Sequence, residues 1–156
     1  MYVNIARMKR SELPEVMELE RESFSWPWSE GMFLGELDRD FSHILLARDG
    51  AGALLGYICL WALLGEAHIL NIAVRKDNRR TGIGSDLAAE ALTLARGQGA
   101  VAATLEVRER NVPAIRFYER LGFVRAGLRK GYYDSPKDNA VIMWLYDIAG
   151  TVKKSP

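Results

Sequence analysis

The stretch "HILNIAVRKDNRRTGIGSDLAAEAL", residues 68–92, joins an alternating apolar segment to a helical pattern through a basic connection. Four of the six residues from Arg75 to Arg80 are basic, and Gly82 and Gly84 follow where the helical pattern begins. A helix start presents unpaired N–H groups and a partial positive charge, which attract anions. Glycine lets an anion approach the backbone, and arginine adds charge-assisted hydrogen bonds. The connection therefore predicts a phosphate cradle.

Outward from this stretch, apolar spacing and turn residues predict the element order β α α β β β α β α β β. The central β-α-β portion should be parallel and the flanking hairpins antiparallel, which gives a mixed α/β sheet. Ser11 and Ser29 are the expected N-caps of the first two helices, and Asn111 is the expected N-cap of the last. We expect one domain over residues 1–148 and a flexible C-terminal tail over 149–156.

The bulk composition narrows the function classes. The chain has 156 residues with 21 Lys+Arg and 20 Asp+Glu, so its net charge of +1 indicates no global attraction to nucleic acid or membrane. The single cysteine, Cys59, lies in an apolar run, which favours a core thiol and a reducing compartment. His43 and His68 lie in strand patterns without metal-ligand spacing, so we expect structural histidines and no metal. Without a signal-peptide pattern or a spanning apolar run, a cytoplasmic protein is expected.

Three phosphate-binding designs compete for the glycines. A Walker loop requires a lysine and then Ser or Thr after its last glycine, whereas Ser85 follows Gly84 directly. The dinucleotide-binding fingerprint requires a third glycine where this chain has Leu87, and its glycines should follow the strand immediately. In its favour, Glu106 lies at about the distance expected for the acidic residue of that fingerprint. The pattern R-x-x-G-x-G, residues 79–84, fits this connection best.

The segment "RRTGIG" resembles the acyl-CoA pyrophosphate loop of the GNAT acetyltransferase superfamily. Three further segments, "SWPWSE" (25–30), "TLEVRERNVPAIRFYERLGF" (104–123) and "KGYYDSPKDNAVIM" (130–143), resemble the ribosomal-protein-alanine N-acetyltransferase (RimI-type) branch, and the likeness extends from Ile5 to Tyr146. The resemblance implies a single-domain GNAT-like mixed sheet of about seven strands flanked by about four helices. It also implies acetyl-CoA as cosubstrate and no metal.

The resemblance places the cosubstrate along one strand and the following loop. The backbone of the strand would pair with the amides of the pantetheine arm, as in β-augmentation, and the loop N–H groups would wrap the pyrophosphate. Which of Arg75, Lys76 and Arg79 contact a phosphate stays open. The expected cofactor-binding residues are Ile72, Ala73, Val74, Arg79, Arg80, Thr81, Gly82, Ile83, Gly84, Ser85 and Asn111.

The resemblance also assigns two catalytic residues. Glu106 matches the family's general base, and a carboxylate beside a cleft can take the proton that an amine must lose before it attacks. Tyr118 matches the residue that returns a proton to the departing thiolate of CoA. The alternatives are a surface ion pair between Glu106 and Arg108 or Arg110, and a packing role for Tyr118.

The acceptor side is expected to include Trp26 and Trp28 on the loop between the first helices, and Tyr132 and Tyr133 before the last strand. The resemblance implies direct acetyl transfer, in a ternary complex, to a protein N-terminal α-amine, the N-terminal alanine of a small-subunit ribosomal protein. One alternative is the same fold acting on a small amine or a lysine side chain. Another is a non-catalytic acyl-CoA-binding regulatory module, which would need neither catalytic residue. No direct contact with nucleic acid or membrane is expected.

Overall fold

The computed structural model describes residues 2–151. The strands are β1 (Val3–Arg7), β2 (Ser42–Asp49), β3 (Leu54–Leu63), β4 (Glu66–Val74), β5 (Ala102–Arg108), β6 (Val124–Asp134) and β7 (Lys137–Leu145). The helices are α1 (Leu13–Ser23), α2 (Glu30–Leu37), α3 (Ile83–Gly97), α4 (Val112–Arg120) and α5 (Ile148–Thr151), with 3-10 turns at Arg10–Glu12 and Lys76–Asn78. The predicted order is confirmed. The short α5 falls where the tail 149–156 was predicted to begin, and residues 152–156 lie outside the described residues.

The strands form one mixed sheet in the order β1-β2-β3-β4-β5-β7-β6, and the predicted mixed α/β sheet of about seven strands is confirmed. Strands β4 and β5 run parallel because α3 carries the chain back between them, and the other neighbouring pairs in the described sheet are antiparallel. The sheet therefore joins two antiparallel halves through a single parallel contact.

The two faces of the sheet carry separate cores. On one face, α3 and α4 bury apolar side chains such as Leu87 and Ile115 against Ile58 and Leu105. On the other, α1 and α2 bury side chains such as Leu19 and Phe33. No helix within residues 2–151 has the length and apolar character needed to cross a membrane.

The helix starts test three of the sequence predictions. Ser29 Oγ accepts from the Met32 N–H at 3.2 Å, and Asn111 Oδ1 accepts from the Ala114 N–H at 3.3 Å, so both predicted N-caps are confirmed. The prediction for Ser11 is wrong, because Ser11 lies inside the 3-10 turn and α1 begins at Leu13. A proline in the first turn of α1 favours this later start, since its fixed φ and missing N–H suit that position.

Strands β4 and β5 separate after only three paired positions. Their ladder runs from Glu66 opposite Ala102 to His68 opposite Thr104, although β4 continues beside β3 and β5 continues beside β7. The pairing of β4 with β3 also shifts by one residue between positions 69 and 71, which is a β-bulge and bends the strand. The result is an opening in the sheet between residues 69–74 and 105–108, which we call the β4–β5 gap.

A substitution at Gly56 on β3 would test how closely β3 packs against the part of β4 that borders this gap. A Cβ at Gly56 would lie 2.7 Å from the Ala73 carbonyl oxygen and 3.3 Å from Val74 Cα, and backbone atoms cannot yield locally. We expect Gly56→Ala to lower the free energy of unfolding by about 1–3 kcal/mol in urea denaturation.

The matched control is Gly97→Ala, since nothing lies within 4 Å of that Cβ position at the end of α3. This change should leave stability unchanged or raise it by up to about 1 kcal/mol, because alanine favours helix over glycine. Equal unfolding midpoints for the two variants would contradict the packing at Gly56.

Candidate active site

A cavity of about 520 Å3 lies along residues 72–74 of β4, on the β4 side of the β4–β5 gap. Its walls come from β4, from the loop and first turn of α3, and from α4, while Ser23 and Phe24 reach it from the end of α1. The cavity therefore draws residues from helices on both faces of the sheet. The predicted site residues among its lining are Ile72, Ala73, Val74, Arg79, Arg80, Gly82, Gly84, Ser85, Asn111 and Tyr118.

Two predicted cofactor residues lie beside the cavity lining without being part of it. Ile83 is buried in the core under α3, with 1% of its surface exposed. The hydroxyl of Thr81 donates to the Asn78 carbonyl oxygen, which closes the loop before the helix. Both residues shape the loop.

The loop before α3 makes a tight turn. Arg80 and Gly82 both have left-handed backbones, with φ of 63° and 88°, and α3 begins at the next residue, Ile83. This conformation is unstrained for Gly82 and uncommon for an arginine. The first N–H groups of α3 have no partner within the helix, so the turn presents donors and positive potential beside the cavity.

The basic residues of this connection differ in their surroundings. Arg79 and Arg80 line the cavity, and Arg79 Nε donates to the Val74 carbonyl oxygen at 3.1 Å. Arg75 instead donates to the Leu54 carbonyl oxygen and pairs with Glu22 at 2.8 Å. Its charge is therefore directed to α1, and the arginines that line the cavity are Arg79 and Arg80 of this connection and Arg120 of α4.

Gly84 brings α3 close to α4. A Cβ at this position would lie 3.2 Å from the Phe117 ring and 3.7 Å from a methyl group of Val74. The cavity is thus cationic at the cradle and apolar along Ile72, Val74 and Phe117. This combination suits an anionic pyrophosphate joined to a less polar arm, as in acetyl-CoA.

The side of β4 that faces the gap is an unpaired strand edge. The Arg75 N–H donates to Leu55 on β3, so by strand alternation the backbone groups of Ile72 and Val74 point away from β3. The Ile72 N–H is held by its neighbour's side chain, Asn71 Oδ1, at 3.1 Å. Such an edge can accept the amides of an extended ligand.

Glu106 lies on the β5 side of the gap, outside the residues that line the cavity, and is bonded to His68. The distance from His68 Nε2 to Glu106 Oε2 is 3.0 Å, and 17% of the Glu106 side chain is exposed. The hydrogen bond from His68 is the main cause of a lowered pKa for Glu106, the His68 charge, Arg129 and Tyr132 lower it further, and burial opposes them. Glu106 is therefore a carboxylate near neutral pH and can accept a proton.

The proposed ion pair of Glu106 with Arg108 or Arg110 is not what the structure shows. Arg108 donates to the carbonyl oxygens of Pro136 and Ser135 at 2.6 and 3.1 Å, and its guanidinium lies 4.1 Å from the Tyr133 ring centroid. It thereby anchors the β6–β7 turn. The nearest carboxylate to Arg110 is Asp138, at 4.0 Å.

Tyr118 has both a packing contact and access to the cavity. Its ring lies 5.8 Å from that of Phe123, and only 7% of the residue is exposed. Burial, and to a smaller extent the nearby Tyr133, raises the pKa of Tyr118. Burial likewise raises the pKa of Tyr133 to about 12. Tyr118 therefore carries its proton at neutral pH and can donate it.

The predicted acceptor residues fall into two groups. Tyr132 and Tyr133 pack edge to face at 5.0 Å, and both influence the electrostatics of the site, Tyr132 at Glu106 and Tyr133 at Tyr118. Trp28 packs on Phe33 at 5.1 Å, whereas Trp26 is 65% exposed. Tyr132 thus lies near Glu106 and Tyr133 near Tyr118, the two residues predicted to be catalytic, whereas Trp26 lies on the surface.

Two further side chains of types that can take part in catalysis, those of His43 and Cys59, lie in the core. His43 is buried and contacts Arg7 and Gln98 through its two ring nitrogens, and burial lowers its pKa. Cys59 is fully buried, which raises the pKa of its thiol to about 12. Within residues 2–151, no three His, Cys, Asp or Glu side chains come together as a metal site would require.

The chain is similar in sequence and in overall fold to known acetyltransferases. The sequence profile of the acetyltransferase (GNAT) family matches residues 13–123. Ribosomal protein bS18-alanine N-acetyltransferases of Salmonella typhimurium and Escherichia coli are 33% and 32% identical to the chain, over 90% of its length and 95% of theirs. The crystal structure of the ribosomal-protein-S18-alanine N-acetyltransferase from Escherichia coli aligns with a TM-score of 0.83 at 29% identity, covering 92% of this chain and 93% of that one.

The bond between His68 and Glu106 leads to a direct prediction. Replacing His68 with alanine removes the main cause of the lowered pKa, so the Glu106 carboxyl should titrate at higher pH. Carbon-detected NMR titration of that carboxyl measures the change. His43→Gln is the matched control, because His43 lies outside this cluster, and it should leave the titration of Glu106 unchanged. An unaltered Glu106 titration in His68→Ala would contradict the assignment.

Proposed function

The chain belongs to the acetyltransferase (GNAT) family, and on that premise we propose that it transfers an acetyl group from acetyl-CoA to the N-terminal α-amine of a protein. The proposed acceptor is the N-terminal alanine of the small-subunit ribosomal protein bS18, the substrate in the names of its relatives. The observation that carries the proposal is the position of Glu106 on the β5 side of the gap, bonded to His68 at 3.0 Å, with Tyr118 on the wall of the neighbouring cavity.

Acetyl-CoA is proposed to enter from the face that carries α3 and α4. Backbone N–H groups of residues 80–85 would hold the pyrophosphate, and Arg79 and Arg80 would add charge at the cavity mouth. The free edge of β4 would pair with the pantetheine arm and direct the thioester into the gap. Gly84 leaves the space between Val74 and Phe117 that this path requires.

The α-amine is proposed to enter from the opposite face, beside Tyr132 and Tyr133. Because an α-ammonium must lose a proton before it can attack, Glu106 takes that proton directly or through a water molecule. The neutral nitrogen then forms a bond to the thioester carbonyl carbon, and backbone N–H groups at the free edge of β4 stabilise the resulting oxyanion. When the carbon–sulfur bond breaks, Tyr118 donates its proton to the departing thiolate. The nitrogen loses its second proton, directly or through water, to the Tyr118 phenolate, so that the acetylated amine and CoA are formed and Glu106 returns the first proton to solvent.

The acceptor is the part of the proposal that family membership leaves open. A small amine or a lysine side chain would use the same cavity and the same proton transfers, because fold does not fix the acceptor. A non-catalytic acyl-CoA-binding module would require no carboxylate at the gap, and the bonded arrangement of Glu106 with His68 argues for catalysis instead.

An acceptor comparison tests the proposed function. CoA release and product mass would be measured with an Ala-starting peptide, with the same peptide blocked at its N-terminus but carrying an internal lysine, and with a polyamine. Acetylation of the free α-amine peptide alone is the expected result. Turnover on the blocked peptide or the polyamine would keep the cosubstrate and overturn the acceptor, and acetyl-CoA binding without any turnover would favour the binding module.

Removal of the proposed base should slow the reaction without weakening cosubstrate binding. Glu106→Gln should lower kcat by about 10²–10⁴-fold near neutral pH, with partial recovery at high pH where the amine is already neutral. Calorimetry should give an unchanged Kd for acetyl-CoA. Glu109→Gln is the matched control, since Glu109 is exposed just beyond β5 and bonds Asn139. Full turnover of Glu106→Gln at neutral pH would show that Glu106 is not the base.

A further inference from the structure

A second carboxylate, that of Glu20 on α1, is buried on the acceptor side of the sheet. Only 1% of Glu20 is exposed. It accepts hydrogen bonds from the Trp28 N–H at 2.9 Å, from the Tyr57 hydroxyl at 2.5 Å and from Asn71 Nδ2 at 3.3 Å. A buried charge is tolerated when it is bonded in this way. Glu20 therefore joins three separate segments, the α1–α2 loop, β3 and β4.

The bond to Asn71 reaches the wall of the cavity. Asn71 Nδ2 also donates to the Tyr57 hydroxyl at 2.5 Å, so its amide nitrogen faces two acceptors. This fixes Asn71 Oδ1 on the Ile72 N–H, and Ile72 lines the cavity. Reversing the carboxamide would place two donors face to face. By orienting the Asn71 carboxamide, Glu20 thus determines the hydrogen-bond partner of the Ile72 N–H.

The other bonds of Glu20 reach the acceptor side. Trp28 belongs to the α1–α2 loop, residues 24–29, whose first residue, Phe24, lines the cavity. Burial and the charge of Glu20 raise the pKa of Tyr57 well above its usual range, so Tyr57 remains a donor to the carboxylate. One side chain is therefore bonded both to the acceptor-side loop and to the strand that bounds the cavity.

We propose that Glu20 is a positioning residue for the transfer reaction, holding the α1–α2 loop and the free edge of β4 in register so that the amine and the thioester meet in the gap. This role rests on the proposed function. The side chain in this position must accept hydrogen bonds from several donors and must not donate one itself. A carboxylate meets this requirement, whereas a carboxamide does not. Misplacement of reacting groups by about 1 Å can cost on the order of 10²-fold in rate.

Glu36 on α2 provides a matched control within the same chain. It is also buried, 7% exposed, and accepts from Trp61 Nε1 at 2.6 Å and from Ser42 Oγ at 2.7 Å, with Arg39 alongside. None of these residues lines the cavity. A purely structural role for Glu20 predicts that the two Glu→Gln variants behave alike.

The experiment compares Glu20→Gln with Glu36→Gln. Hydrogen exchange of the Trp28 and Ile72 amides, measured by NMR without acceptor, should rise about tenfold or more in Glu20→Gln. Its kcat/KM for the Ala-starting peptide should fall about tenfold or more, while its Kd for acetyl-CoA changes less than about threefold. Glu36→Gln should lose stability but keep both amides protected and kcat/KM within about twofold.

Unchanged exchange at Ile72 in Glu20→Gln, or an equal kinetic loss in Glu36→Gln, would overturn the positioning role. If Glu20→Gln does not fold, Asn71→Ala tests the same connection, because it removes the contact to Ile72 and leaves the bond from Trp28. Exchange should then rise at Ile72 and stay unchanged at Trp28. Failure of the wild-type protein to acetylate any free α-amine would reject the proposed function separately, since the exchange readout needs no turnover.

Discussion

The early separation of β4 from β5 is the constraint on which the rest of the site depends. A parallel ladder that ends at His68 and Thr104 leaves backbone groups of β4 without a neighbouring strand. Buried N–H and C=O groups must find partners elsewhere. In this structure Asn71 holds one N–H and Arg79 holds one carbonyl oxygen at that edge. The opening that makes room for a ligand and the edge that can bind one therefore have the same origin.

Charge is divided between the two faces of this opening. The face with α3 offers backbone donors, Arg79 and Arg80, which suit a polyanion. The side on which the amine is proposed to enter carries the carboxylates Glu20 and Glu106. Tyr118 lies at the cavity and stays protonated because it is buried. In the proposed reaction this arrangement would supply a proton acceptor on the amine's side and a proton donor on the sulfur's side, both of which direct transfer requires.

The features that the sequence predicted are those encoded locally. A glycine-containing turn after a strand marks the cradle, and a hydroxyl or carboxamide before an apolar repeat marks the caps at Ser29 and Asn111. The prediction at Ser11 was wrong because a proline in the first turn of α1 favours a later helix start.

The role of Glu20 was not predicted, although the sequence contains a signal for it. Glu20 follows Leu13, Val16 and Met17 at helical spacing, which places its carboxylate on the buried, apolar face of α1. The pairing of His68 with Glu106 depends on the register of two strands joined through α3, and no local pattern specifies that register.

In the proposed reaction, acetyl-CoA and the amine approach from opposite faces of the sheet and meet in the β4–β5 gap. A crystal structure with a conjugate of CoA and an Ala-starting peptide tests it most directly. We expect the pyrophosphate at residues 80–85, the junction between sulfur and nitrogen in the gap between Tyr118 and Glu106, and the peptide leaving beside Tyr132 and Tyr133. A conjugate bound wholly on the α3 face, with its junction away from the gap, would contradict it.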